Sequence, residues 1–147
     1  MYQRILVATD DSTLSKKAVR SAIGLAATID ADLVALYVVP SYPVSYFEGG
    51  ISISPQDVSR IEKQWADKGQ AVVDAVQQAA QAEGVKARAV VARSNLVAES
   101  IMAAAKKHKC DLVVMASHGR KGIKRVLLGS ETQHVLTHSS IPVLLVK

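Results

Sequence analysis

The stretch of the chain richest in chemistry runs Ala116-Ser117-His118-Gly119-Arg120-Lys121-Gly122-Ile123-Lys124-Arg125-Val126-Leu127-Leu128-Gly129-Ser130. It holds three glycines, four Lys or Arg residues and no acid. Glycine lets backbone N–H groups approach an anion closely, and a helix starting at Ser130 offers unpaired N–H donors with a favourable dipole. Arg120, Lys121, Lys124 and Arg125 add attraction at longer range. Together these features suit a phosphate chain. The same residues also have a reading without any ligand. Ser130-Glu131-Thr132-Gln133 fits a capping box, in which Ser130 bonds only its own helix. Gly119 and Gly129 would then supply turn dihedrals, and the cations a solvated face. Residue chemistry alone leaves the two readings even.

The elements that must position this segment follow from hydrophobic patterning. Arg4 to Thr9 is short, β-branched and apolar on both sides, as a strand buried in a parallel sheet is. Asp10-Asp11-Ser12 offers caps for a helix from Thr13 to Ile29, with Leu14, Ala18, Ala22, Leu25 and Ala26 inward. A second strand, Asp32 to Val39, stops at Pro40. Pro40 to Pro55 is the one irregular stretch, long enough to suggest a mobile lid near the ligand. A long helix from Gln56 to Glu83 follows, with Val58, Ile61, Trp65, Val72, Val76 and Ala79 on one face. Gly69 inside it costs ~1 kcal/mol against Ala unless a close contact needs the space. Gly84 ends it. The remaining pattern is a half-exposed edge strand at Lys86–Ala92, a helix at Asn95–Lys109 and a buried strand at Leu112–Met115. A helix from Ser130 and a strand at Ile141–Val146 complete the chain.

The alternation predicts one α/β domain over residues 1–147. It is an open five-stranded parallel sheet, Rossmann-like, in the order 3-2-1-4-5, with helices on both faces. Ligands in such sheets sit beyond the carboxyl ends of the strands where strand order reverses. That point lies between Thr9-Asp10 and Ala116-Ser117.

On these residues the chain resembles the universal stress protein family, whose best-studied members bind ATP. The family motif runs Gly, two residues, Gly, nine residues, Gly, then Ser or Thr. Here Ala116 takes the first glycine's place, Gly119 is the second, Gly129 the third, and Ser130 follows. Ile5 to Asp10 with Ser12, Ser15 and Ala18, then Ala98-Glu99 and Ile101, Asp111 to Met115, and Pro142 to Val146 extend the match. The resemblance implies that Ala8, Thr9 and Asp10 line the adenine and ribose side, with Val38 offering backbone groups to adenine. It places Met115 and Ala116 at ribose, and Gly119, Gly129, Ser130, Glu131 and Thr132 at the phosphates. Two positions depart from the pattern. Ala116 adds a methyl expected to crowd ribose, and Glu131 brings a negative charge to the first turn of a helix expected to hold phosphate.

Other chemistries find no motif. No GxxxxGK[ST] marks a P-loop, and no G-x-G-x-x-G follows the first strand. His134 and His138 lack the glutamate of H-E-x-x-H and read as exposed helix residues. No G-x-S-x-G elbow supports a hydrolase. Cys110 reads as buried rather than reactive. Asp10 and Asp11 suit Mg²⁺ beside phosphates, while Asp11 also suits the cap of the first helix.

Composition sets the outer limits. The chain has 147 residues, 49% of them hydrophobic, so disorder is excluded as its overall state. No run approaches the ~20 apolar residues of a bilayer span. The first ten residues read as a buried strand rather than a signal sequence, and one cysteine forms no intrachain disulfide, so a cytoplasmic location is expected. A net charge of +5 favours anionic partners. With 4% aromatic residues, however, a nucleic-acid module is weakly supported. The leading expectation is a homodimeric ATP-binding stress-response module, with or without Mg²⁺ and without efficient catalysis, since no general base stands out. An interaction dimer with a vestigial site is the alternative, and a slow ATPase or autophosphorylating protein is third. The apolar strand at 141–147 is expected to pair with its two-fold mate.

Overall fold

The computed structural model describes residues 1–42, 54–118 and 128–147. Among them the elements run β1 (Arg4–Ala8), α1 (Thr13–Ile29), β2 (Asp32–Val39), α2 (Pro55–Ala82) and β3 (Ala87–Arg93). They continue with α3 (Val97–Lys107), β4 (Leu112–Ala116), α4 (Ser130–His138) and β5 (Val143–Val146). The five strands form one sheet in the order β3-β2-β1-β4-β5, all neighbours parallel. This is the order read from the sequence. Of the stretch from Pro40 to Pro55 expected as a lid, residues 43–53 lie outside the described residues, as do Gly119 and the four cations Arg120, Lys121, Lys124 and Arg125.

Strand alternation divides the core into two layers. Ile5, Val7, Leu33, Ala35, Leu112 and Val114 face α1 and α2, packing with Ala18, Ala22, Ala26, Val73, Val76 and Ala80. Leu6, Val34, Leu36, Val113 and Met115 face the other way, against Ala98, Ile101, Ala104, Ala105 and Val135 of α3 and α4. The apolar stretches Ile5–Val7 of β1, Leu33–Leu36 of β2 and Leu112–Ala116 of β4 are buried on both faces, as central parallel strands are.

Helix ends follow side-chain chemistry and correct several expected boundaries. Ser12, not Asp11, caps α1, its hydroxyl accepting from Ser15 N at 3.2 Å. Asp11 instead takes a left-handed conformation (φ 65°) and pairs with Lys16 at 3.7 Å. Ser54 caps α2, and Pro55 opens it. The inward stripe of α2 is Gly69, Val73, Val76 and Ala80, so Val72 and Ala79 stand one position, or about 100°, away from it. Gly84, with φ 78°, is the left-handed residue just beyond α2. Helix α3 begins two residues later and ends two earlier than expected.

Gly69 has a specific reason to be glycine. A methyl built there would lie 2.7 Å from Cδ1 of Tyr37, whose ring belongs to the α1/α2 layer. The aromatic ring therefore seats directly against the α2 backbone. Helix propensity alone predicts that Gly69→Ala stabilises the protein by about 1 kcal/mol. We expect the opposite, a loss of about 1–3 kcal/mol from overpacking, measured by urea denaturation. The loss should vanish when Tyr37 is also changed to Val.

Candidate functional site

The carboxyl ends of β1 and β4 diverge because their chain continuations cross to opposite faces of the sheet. A cavity of about 590 Å³ opens between them. Ten of the eleven residues assigned to the ligand from the sequence line it: Ala8, Thr9, Asp10, Val38, Met115, Ala116, Gly129, Ser130, Glu131 and Thr132. Gly119 is the eleventh and lies outside the described residues. Ser15, Leu36, Pro40, Val97, Ile101 and His118 also line the cavity but were not assigned. The i,i+4 pair Val97 and Ile101 was the available signal, since both fall on the inward face of α3.

Each wall has a distinct chemistry. Leu36, Val38, Val97, Ile101 and Met115 make an apolar side suited to a flat aromatic ring. Beyond the last β1 pair, Ala8 with Leu36, strand β2 continues alone on that edge. Leu36 O accepts from Thr9 N on the β1 side, whereas Val39 O accepts from Ser94 N on the β3 side. Alternation therefore turns the N–H and C=O of Val38 toward the gap left by β1. They face the cavity's apolar end.

The β1–α1 turn is tied by its own hydroxyls. Thr9 Oγ1 and Ser15 Oγ lie 3.0 Å apart, both residues buried, and Thr9 Oγ1 accepts from Asp11 N. Asp10 Oδ1 accepts from Ser12 N at 3.0 Å. Across the cavity, Gly129 N donates to Ser117 O at 2.9 Å, joining the end of β4 to the start of α4. A methyl on Gly129 would stand 3.3 Å from His118 Cα.

The start of α4 differs from a capping box. Gly129, not Ser130, is the N-cap residue, and no described side chain caps the helix. The N–H groups of Ser130, Glu131 and Thr132 lack intrahelical acceptors there, as in any first turn. All three residues border the cavity. Thr132 Oγ1 donates instead to Ala116 O at 3.0 Å in a buried bond, so only its main chain is left for a ligand.

Glu131 has an unexpected partner. Its carboxylate accepts from Ala98 N of α3 at 3.0 Å. The N-cap residue of α3 is Leu96, which has no side-chain acceptor to give. Glu131 thus supplies from α4 the cap that α3 lacks, and Glu99 answers with a 3.2 Å contact to His134 Nε2. His134 is half-buried and packs against the His138 ring, 4.4 Å between centroids. His134 thus links α4 to α3, while His138 is exposed on α4, as its sequence context suggests.

Ala116 lines the cavity but also packs into the core. Its side chain belongs to the α1/α2 layer, whereas Met115 belongs to the layer of α3 and α4 that supplies the cavity's apolar wall. The Ala116 residue is 8% exposed and packs with the α1/α2 layer. Cys110 is buried, and burial pushes its thiol up to about 11, so it stays protonated and unreactive at neutral pH.

A crevice at the strand-order reversal, with an apolar pocket on one side and an open helix N-terminus on the other, is the ligand site of Rossmann-like α/β proteins. The universal stress protein family model matches residues 1–147. The chain belongs to that family. It is 34% identical to a universal stress protein of Methanocaldococcus jannaschii, over its whole length and 83% of the relative. It superposes on the universal stress protein UspA of Lactobacillus plantarum with a TM-score of 0.83 at 24% identity, covering 99% of this chain and 98% of that one. A universal stress protein solved in complex with cAMP matches at 27% identity and TM-score 0.68, covering 99% and 97%.

The cross-helix cap has a measurable consequence. Glu131→Ala should cost about 0.5–2 kcal/mol, the range of a lost N-cap, in urea denaturation. Glu131→Gln, which keeps an acceptor oxygen, should recover most of that. Amide exchange at Ala98 should accelerate in the alanine variant and stay near wild type in the glutamine one.

Proposed function

We propose that this chain is a cytoplasmic regulatory protein that binds an adenine nucleotide, ATP or a close relative, in the cavity between β1 and β4. One observation carries the reading. Residues far apart in sequence, from Ala8 to Thr132, converge on a single cavity of about 590 Å³, within the range of small-ligand sites. The base fits the apolar side, where Val38 offers main-chain groups to a ring edge. The ribose falls near Thr9, Asp10 and Ala116, and the phosphates reach the first turn of α4 at Ser130, Glu131 and Thr132. Gly119 belongs to the phosphate side by its place in the motif. The relative solved with cAMP supports a nucleotide as the ligand class.

The donor set also fits a nucleotide with Mg²⁺. Asp10 stands at the cavity and would help hold the cation beside the phosphates, where the ion would offset the negative charge of Glu131. Among the described residues of the cavity none is arranged as a base for water attack, which supports a role in binding rather than turnover. Titration calorimetry should give measurable binding of ATP and AMP. Gly129→Val should weaken both by about tenfold or more, since each 1.4 kcal/mol is a factor of ten and the added methyls meet the His118 backbone. Circular dichroism should show the fold retained. Failure of wild type to bind any adenine nucleotide at millimolar concentration would replace this reading with an interaction dimer whose site is vestigial.

The same proposal includes assembly through β5. It pairs on one side with β4 only, and Leu144 is 41% exposed on it. An apolar parallel edge left open favours pairing with a second copy. Leu145 and Val146 pack on the core, so Leu144 is the position at which charge tests the edge rather than the fold. Wild type should scatter light as a dimer at micromolar concentration, and Leu144→Lys as a monomer with unchanged circular dichroism. A monomeric wild type overturns this part.

A further inference from the structure

The opposite end of the sheet carries a second concave site. The amino ends of β1, β2 and β3 meet the carboxyl end of α3 there, around a cleft of about 230 Å³. Its polar lining is Arg4, Asp32, Gln77, Lys86, Arg88 and His108. Three cations thus face one carboxylate. Asp32 is already engaged, with its Oδ2 3.6 Å from Arg4 Nη2. Arg4 is held in place as well, because its Nη1 donates to His108 O at 2.8 Å and closes the end of α3. Gln77 Nε2 donates to Ala87 O at 2.9 Å, fixing the strand that carries Lys86 and Arg88. Neither Lys86 nor Arg88 forms an ion pair among the described residues.

The field in the cleft is correspondingly positive. The His108 imidazole titrates below its ordinary value, through burial first and then through Arg88, Lys107 and Arg4. Of these causes Arg88, Lys107 and Arg4 act through charge, and the field that disfavours a cation at His108 favours an anion beside it. Two cations free of carboxylate partners, beside a third fixed by main chain, can surround a compact anion from β1 and β3 at once. Guanidinium groups add paired N–H donors matched to phosphate oxygens.

We propose that this cleft is a second ligand site, taking a small multivalent oxyanion of the phosphate class on Lys86 and Arg88, with Arg4 as its fixed positive wall. It is separate from the cavity at the other end of the sheet and does not depend on nucleotide binding there. Arg4, Lys86 and Arg88 against Asp32 leave the lining net positive, which attracts a di- or trianion more strongly than chloride.

Backbone-amide NMR on the full chain tests this with sodium pyrophosphate as probe. Resonances of residues 4, 86–88 and 108 should move with saturable dependence, and should still do so when the cavity between β1 and β4 is saturated with AMP. Bound anion should also raise the His108 titration midpoint, because its negative charge offsets Arg88, Lys107 and Arg4. Glycerol 3-phosphate run in parallel separates a free oxyanion from a phosphate ester, and saturable shifts at the cleft with either support the site. Both Lys86 and Arg88 are exposed, so Lys86→Gln/Arg88→Gln should fold normally. The double variant should weaken pyrophosphate by about tenfold or more through loss of charge-assisted bonds, with AMP affinity unchanged. Equal shifts with potassium chloride at matched ionic strength overturn the proposal. So do shifts confined to residues 129–132, or unaltered pyrophosphate affinity in the double variant.

Discussion

The protein depends on one topological constraint, that parallel strands joined by right-handed crossovers must place their helices on the face dictated by direction of travel. From β1 the chain moves through β2 to β3, putting α1 and α2 on one face. It then returns past β1 to β4 and β5, putting α3 and α4 on the other. The reversal leaves adjacent strands whose continuations separate at their carboxyl ends. The cavity is the space between those continuations. Nothing in the local sequence of Ala8 or Met115 makes a pocket. The order of the strands does.

Within the cavity, many polar groups that look available in sequence are spent on building its walls. Thr9 and Ser15 hold the β1–α1 turn, Thr132 ties α4 to the end of β4, and Glu131 reaches across to α3. This rigidifies the site, since buried hydroxyls with partners fix rotamers as well as satisfy hydrogen bonds. It also changes what a ligand can use. Main-chain N–H groups at the start of α4 and main-chain atoms of Val38 remain, whereas side chains mostly serve the frame.

The fold was legible because each element has one dominant periodicity. Arg4–Ala8 and Leu112–Ala116 are apolar on both faces, which only a central parallel strand needs, and β3 alternates as an edge does. The candidate site was legible only as a set of residues implied by the family resemblance, ten of which line one cavity. What each residue does was less so. The cap of α3 by Glu131 joins residues 33 apart in sequence, and no short-range pattern encodes it. Of the two readings of Ser130, the capping box fails because Ser-x-x-Gln only imitates one: Ser130 is the first helical residue and Gly129 the N-cap. The α2 stripe was shifted for a related reason. With Val72, Val73, Val76, Ala79 and Ala80 all apolar, the pattern admits two neighbouring stripes, and Gly69 against Tyr37 selects between them.

That last contact has a consequence for geometry at a distance. Helix α2 has 28 residues, about 42 Å at 1.5 Å per residue, and its inward residues are mostly small. A smooth rod on a smooth sheet has little to stop it from sliding along its axis. The Tyr37 ring in the gap at Gly69 acts as a detent: one notch, in one place, that fixes the rod lengthwise. One turn nearer the amino end stands Trp65, on which Tyr42 stacks with ring centroids 6.0 Å apart, and then Glu62. Glu62 accepts from Tyr42 N and from Arg93 at the end of β3. A missing side chain in the middle of a helix therefore sets where the rim of the ligand end lies.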